Sequence, residues 1–97
     1  MRAVLLAFTV LFAGAAAGQL RSIPDDAERA QIRHVQENVI QLNGQLAQLA
    51  PGARIRDASN RLIVPMALPP DALVKYRLDE KGQVREIWVL TDEEEAR

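Results

Sequence analysis

The one histidine of the chain, His34, stands three residues before Glu37, and on a helix that spacing would offer two ligands to a metal ion. A zinc or copper centre takes three or four ligands. No second histidine and no cysteine exists to complete one. The acidic run Asp92, Glu93, Glu94 and Glu95 attracts divalent cations only weakly, because contiguous carboxylates on a loose end do not make a fixed oxygen cage. Nucleophilic catalysis needs a hydroxyl activated by a positioned base. Beyond the N-terminal segment the Ser and Thr hydroxyls are Ser22 and Thr91 near the ends and Ser59 inside turn chemistry. Asp57, Asp71 and Asp79 could supply paired carboxylates, but each sits where a turn already needs it. Pro51-Gly52 and Lys81-Gly82 are isolated turn glycines, not a phosphate loop. No catalytic, cofactor-binding or metal-ligating set emerges, no cofactor is implied, and the expected function is not enzymatic.

Basic residues form the most chemically suggestive pattern. Arg54, Arg56, Lys75 and Arg77 alternate outward on two expected strands, with Arg61 and Arg85 nearby. Brought side by side, Arg54, Arg56, Lys75, Arg77 and Arg85 would make a patch for anionic groups: lipid headgroups, envelope polysaccharide or an acidic protein. The competing reading is the ordinary polar face of a half-buried sheet, where basic residues on edge strands also block aggregation. Tyr76 and Trp88, the aromatic residues beyond the N-terminal segment, are expected to share one core face.

The elements that must position these residues read as strands from 53 to 91. Ala53–Asp57 alternates, Asp57-Ala58-Ser59-Asn60 carries turn chemistry, and Leu62-Ile63-Val64 is a short apolar run ended by Pro65. Leu73–Asp79 and Gln83–Thr91 form a hairpin around a type I turn, Asp79-Glu80-Lys81-Gly82. Residues 22–50 support two readings. Ile32, Val35, Val39, Leu42, Leu46 and Leu49 step at helical spacing, whereas Asn43-Gly44 is the strongest short-range hairpin signal. In a helix the glycine costs about 1 kcal/mol and the asparagine roughly half that. Burying six apolar side chains outweighs both.

Leu49-Ala-Pro-Gly-Ala-Arg-Ile-Arg-Asp-Ala-Ser-Asn-Arg-Leu-Ile-Val-Pro65, Leu73-Val-Lys-Tyr76 and Ile87-Trp-Val-Leu-Thr91 resemble a family of small exported proteins of Gram-negative bacteria, chiefly β-proteobacteria. Ile32-Arg-His-Val-Gln36 and Leu42-Asn-Gly44 fit the same pattern, so the resemblance covers nearly the whole chain beyond the N-terminal segment. It carries no catalytic or binding motif. The strand-turn-strand units followed by Pro-Gly-Ala are similar to the layout of small OB-like barrels, an analogy of fold that leaves function open. The resemblance favours strands from about residue 31, with a short helix at 25–31. The expected fold is therefore mainly β: a small OB-like barrel or twisted antiparallel sheet. The alternative is α+β, with a helix at about 24–49 packed on a 53–91 antiparallel sheet.

Residues 1–18 have the layout of a secretory signal peptide: Arg2, then Ala3–Ala17 without charge, with small residues at the expected cleavage site near Ala17/Gly18. Fifteen apolar residues span roughly 22 Å, short of the ~30 Å hydrocarbon core, so no stable membrane span is expected after its removal. Residues 19–91 then form one small domain and 92–97 an acidic disordered tail. Without Arg2 the chain has 11 Lys/Arg against 13 Asp/Glu, far from the basic excess of a nucleic-acid binder. Lacking cysteine, it must hold together by packing, hydrogen bonds or a partner. The expected role is a periplasmic or secreted binding module that meets an anionic ligand or partner through the Arg/Lys face. The alternative is a structural, self-associating protein using the 32–49 apolar stripe.

Overall fold

The contested stretch is three strands. The computed structural model describes residues 21–96, and the expected signal peptide lies outside them. Strands β1 (Glu28–Gln36), β2 (Val39–Leu42) and β3 (Gln45–Arg56) form an antiparallel meander. Asn43 and Gly44 turn the chain between β2 and β3 with both φ angles positive, 52° and 83°, the left-handed pair that a two-residue hairpin requires. Asn43 also ties in β1, because its side-chain Oδ1 accepts from the Gln31 N–H while its own N–H donates to the Gln31 carbonyl, both at 2.9 Å. The alternative helix at about 24–49 and the short helix at 25–31 are both corrected. The tight turn and the two ladders satisfy the backbone, and the stripe divides between two faces. Ile32, Leu42 and Leu49 point into the core, while Val35 and Leu46 are exposed and Val39 is half-buried.

Further along lie β4 (Leu62–Ile63), a 3₁₀ turn (Pro65–Ala67), β5 (Ala72–Leu78), β6 (Val84–Val89) and the helical turn α1 (Asp92–Glu95). The sheet runs β2-β1-β5-β6-β3-β4, with β2 also paired to β3. Although these pairings return to their start, the expected β-barrel is corrected to a mixed, twisted sheet. The β3–β6 pair is parallel, holding at Leu49 and again only from Arg54. The break coincides with Pro51, which has no N–H to donate, and Gly52 at φ 76°. β3 thus runs through Pro51-Gly52, expected as a turn, as a strand with an irregular middle.

The core is aliphatic and mostly β-branched. Ile32, Ile40, Val74, Val84 and Ile87 are fully buried, with Leu49 and Ile55 of β3 beside them. Two loops on the same plan join the later strands. Asp57 Oδ1 accepts from the Ser59 and Arg61 N–H groups, and Asp79 Oδ1 from those of Lys81 and Gln83. Each closes on a left-handed residue, Asn60 or Gly82.

The acidic segment expected as a disordered tail contains an ordered turn. Thr91 and Glu94 form a reciprocal capping box at the start of α1. Glu94 then takes two hydrogen bonds from the Arg21 guanidinium, from Nε at 3.1 Å and Nη2 at 2.8 Å. Arg21 also donates to the Asp57 carbonyl at 2.7 Å and to the Val89 carbonyl. The two ends of the described chain are therefore joined across the sheet by a largely buried ion pair.

Candidate functional site

Two outward faces of the sheet carry the expected basic residues and the exposed part of the 32–49 stripe. On the first, strand register aligns the expected basic residues. Lys75 pairs with Trp88 and Trp88 with Arg56, while Arg77 pairs with Glu86 and Glu86 with Arg54. Directly paired residues project from the same side of a sheet. Arg54, Arg56, Lys75 and Arg77 thus share one face, with β6 between the two strands that bear them and about 10 Å separating Arg54 from Arg77. Arg85 joins them at the register break of β6, its Nη2 lying 3.7 Å from Glu86 Oε1.

Glu86 was not among the expected site residues, although it organises that group. Its Oε1 is 3.4 Å from Arg77 Nη1, and Arg77 Nε is 3.5 Å from Asp26 Oδ1. Arg56 donates at 3.4 Å to the Asn60 carbonyl. Among the described residues Arg54 and Lys75 have no ion-pair partner. The face therefore mixes cations held by carboxylates with cations open to solvent. Same-parity alternation in β6 places Glu86 and Trp88 with the basic rows, a signal available in the sequence once the register is known.

That register also separates the aromatics. Tyr76 pairs with Ile87 on the core side and Trp88 with Lys75 on the outer side, so the shared core face expected for Tyr76 and Trp88 is corrected. The cause is the β-bulge between Arg77 and Leu78 opposite Val84–Glu86, which changes the facing of one strand against the other. Trp88 is nevertheless buried, outside the main core cluster. The Tyr76 hydroxyl donates to Glu28 at 2.9 Å, and burial first and this hydrogen bond second raise its pKa above 10.0. An open hollow of about 220 Å³ lies there, lined by Asp26, Glu28, Tyr76, Arg77 and Leu78.

The second face is the outer side of β1–β2–β3. Gln36, Val39 and Gln48 align in one row, and Arg33, Gln41 and Leu46 in another. Val35 projects from the bulge between His34 and Gln36 and is 46% exposed; Leu46 is 70% exposed. The only charge in these rows is Arg33, which is bonded to Asp71 at 2.7 Å.

Several of the residues considered for catalysis or metal binding have structural partners. His34 Nε2–H donates to the Glu37 carbonyl at 2.8 Å and braces the β1–β2 turn, where Glu37 has φ 48°. Thr91 Oγ1 accepts from Glu94, and the Ser59 N–H belongs to the Asp57 loop. Among the described residues no three His, Asp or Glu side chains gather as a metal site, and no helix is long and apolar enough to cross a membrane. Comparison with protein-family models, curated proteins and solved structures finds no match for the chain.

Proposed function

We propose that this is an exported, non-enzymatic structural protein that self-associates through the outer face of β1–β2–β3. The observation that carries the reading is Leu46, 70% exposed beside half-buried Val39, on a face whose other side chains are mostly uncharged amides. Val39 and Leu46 stand diagonally across two strands, roughly 7 Å apart, and Val35 extends the apolar area. The 32–49 stripe contributes its outward half to this contact and its inward half to the core.

A second copy suits this face for an electrostatic reason. In a two-fold dimer the same patch meets itself, so a charged patch repels its own copy while a neutral one does not. The Arg/Lys face fails that requirement and the glutamine-aliphatic face meets it. Three strands span only about 14 Å, which fits a weak, concentration-dependent dimer. Sedimentation equilibrium over about a hundredfold range of concentration tests the reading. The native protein is expected to shift toward dimer, and Val39→Asp with Leu46→Asp to remain monomeric with an unchanged far-ultraviolet circular dichroism spectrum. A native protein that stays monomeric throughout, or a double variant that dimerises equally, contradicts it.

A further inference from the structure

The β3–β4 hairpin is amphipathic in an unusual direction: Arg54 and Arg56 share the outer side with exposed Leu62 and Val64, and exposed Arg61 and Met66 flank them in the adjoining turns. β4 pairs with β3 through Ile63 to Ile55 and Leu62 to Arg56. Ile55 is buried in the core, so Ile63 faces inward and Leu62 stands beside Arg56 on the outer face. Val64 is extended, at φ −84° and ψ 158°, and returns to the side of Leu62 and Arg54. Leu62, Val64 and Met66 are 61%, 63% and 80% exposed. Arg61, also exposed, lies in the turn between the two strands.

This corner is also where the sheet ends. β2 is paired on both sides, whereas β4 pairs only with β3. The hairpin's one carboxylate, Asp57, spends Oδ1 on the Ser59 and Arg61 N–H groups. Glu86 beside Arg54 is already approached by Arg77 and Arg85. A partner of this corner must accept guanidinium groups and aliphatic side chains within one small area. A soluble polyanion offers no place for Met66 or Leu62, and an apolar protein surface offers none for the arginines. The boundary between an anionic headgroup layer and acyl chains accepts both.

We propose that the β3–β4 corner docks on an anionic lipid surface, with Leu62, Val64 and Met66 entering the headgroup–acyl boundary and Arg54, Arg56 and Arg61 meeting lipid phosphates. The contact is peripheral and reversible, and it uses a different face from the self-association surface.

Vesicle co-sedimentation tests this with the form of the protein that accumulates in the cell, its N terminus read by mass spectrometry. The vesicles are phosphatidylglycerol mixed with phosphatidylcholine, or phosphatidylcholine alone. Binding is expected on the anionic vesicles and to weaken with salt. Arg54→Gln with Arg61→Gln should weaken it about twenty-fold. Leu62→Ser with Met66→Ser should weaken it about tenfold or more while keeping the salt dependence. These side chains are exposed, and an unchanged thermal unfolding midpoint checks the fold of each variant. Equal binding to both vesicle types overturns the proposal. So does an arginine variant that binds as well as the native protein, or full binding by the serine variant, which would mark the contact as electrostatic alone with no entry into the acyl boundary.

Discussion

A single ion pair, Arg21 with Glu94, illustrates how much one residue contributes here. The Arg21 hydrogen bonds hold the Glu94 carboxyl below its ordinary value of 4.5, against the opposing effect of burial and with help from the Thr91 backbone. A carboxylate depressed on folding adds stability above its unfolded pKa and loses it as pH falls through the folded value. The urea midpoint is therefore expected to hold from pH 7 to about 5 and to fall below about pH 4.5. Glu94→Gln should remove that part of the acid loss. At pH 7, Glu94→Ala should cost about 3 kcal/mol, because it strands a buried guanidinium. In the core, Ile87→Ala should cost roughly 2–5 kcal/mol by leaving a cavity where the native side chain is fully buried. Equilibrium urea unfolding measures both.

At the scale of elements, the two aspartate loops make a paired prediction. Asp57→Ala and Asp79→Ala each remove an acceptor of two backbone N–H groups and should each cost about 1 kcal/mol. Gly82→Ala should cost a further 1–2 kcal/mol, because φ 81° crowds a Cβ. These loops were legible in the sequence, as were Asn43-Gly44 and the end of β4 at Pro65, since turn chemistry is local. The helical spacing of Ile32 to Leu49 misled for an equally physical reason. Steps of three and four divide between the two sides of successive strands when turns intervene, as Leu42 inside and Leu46 outside show. The partners of β6 and the bulge opposite Arg77 depend on contacts distant in sequence. For that reason the basic residues of the candidate site were legible, but Glu86 among them and the outward Trp88 were not. The docking of α1 through Arg21 spans 73 positions and leaves no local signature.

Across the whole molecule, a sheet whose pairings use nearly every strand edge leaves its side-chain faces, and the short edge at β4, to meet partners. The glutamine-aliphatic rows around β2 carry one cation, Arg33, offset by Asp71, while the β3–β4 corner is basic and apolar. In the proposed account, this division assigns self-association and anionic-surface docking to separate contacts. Substitutions on one face should leave the other activity intact. Val39→Asp with Leu46→Asp is expected to reduce self-association without changing vesicle binding, measured by sedimentation on the same preparation.

The chain has no cysteine, so a single introduced thiol reports on one position. Gln41 lies on β2, the central strand of the proposed dimer face, aligned between Arg33 and Leu46. In a two-fold dimer its copies come near the axis. Treatment of Gln41→Cys with a short thiol-to-thiol crosslinker should yield a covalent dimer far faster than Ala58→Cys, an exposed position in the β3–β4 turn beyond the other end of β3. Equal crosslinking of the two variants, or none at Gln41→Cys at concentrations where the native protein is dimeric, would contradict self-association through this face.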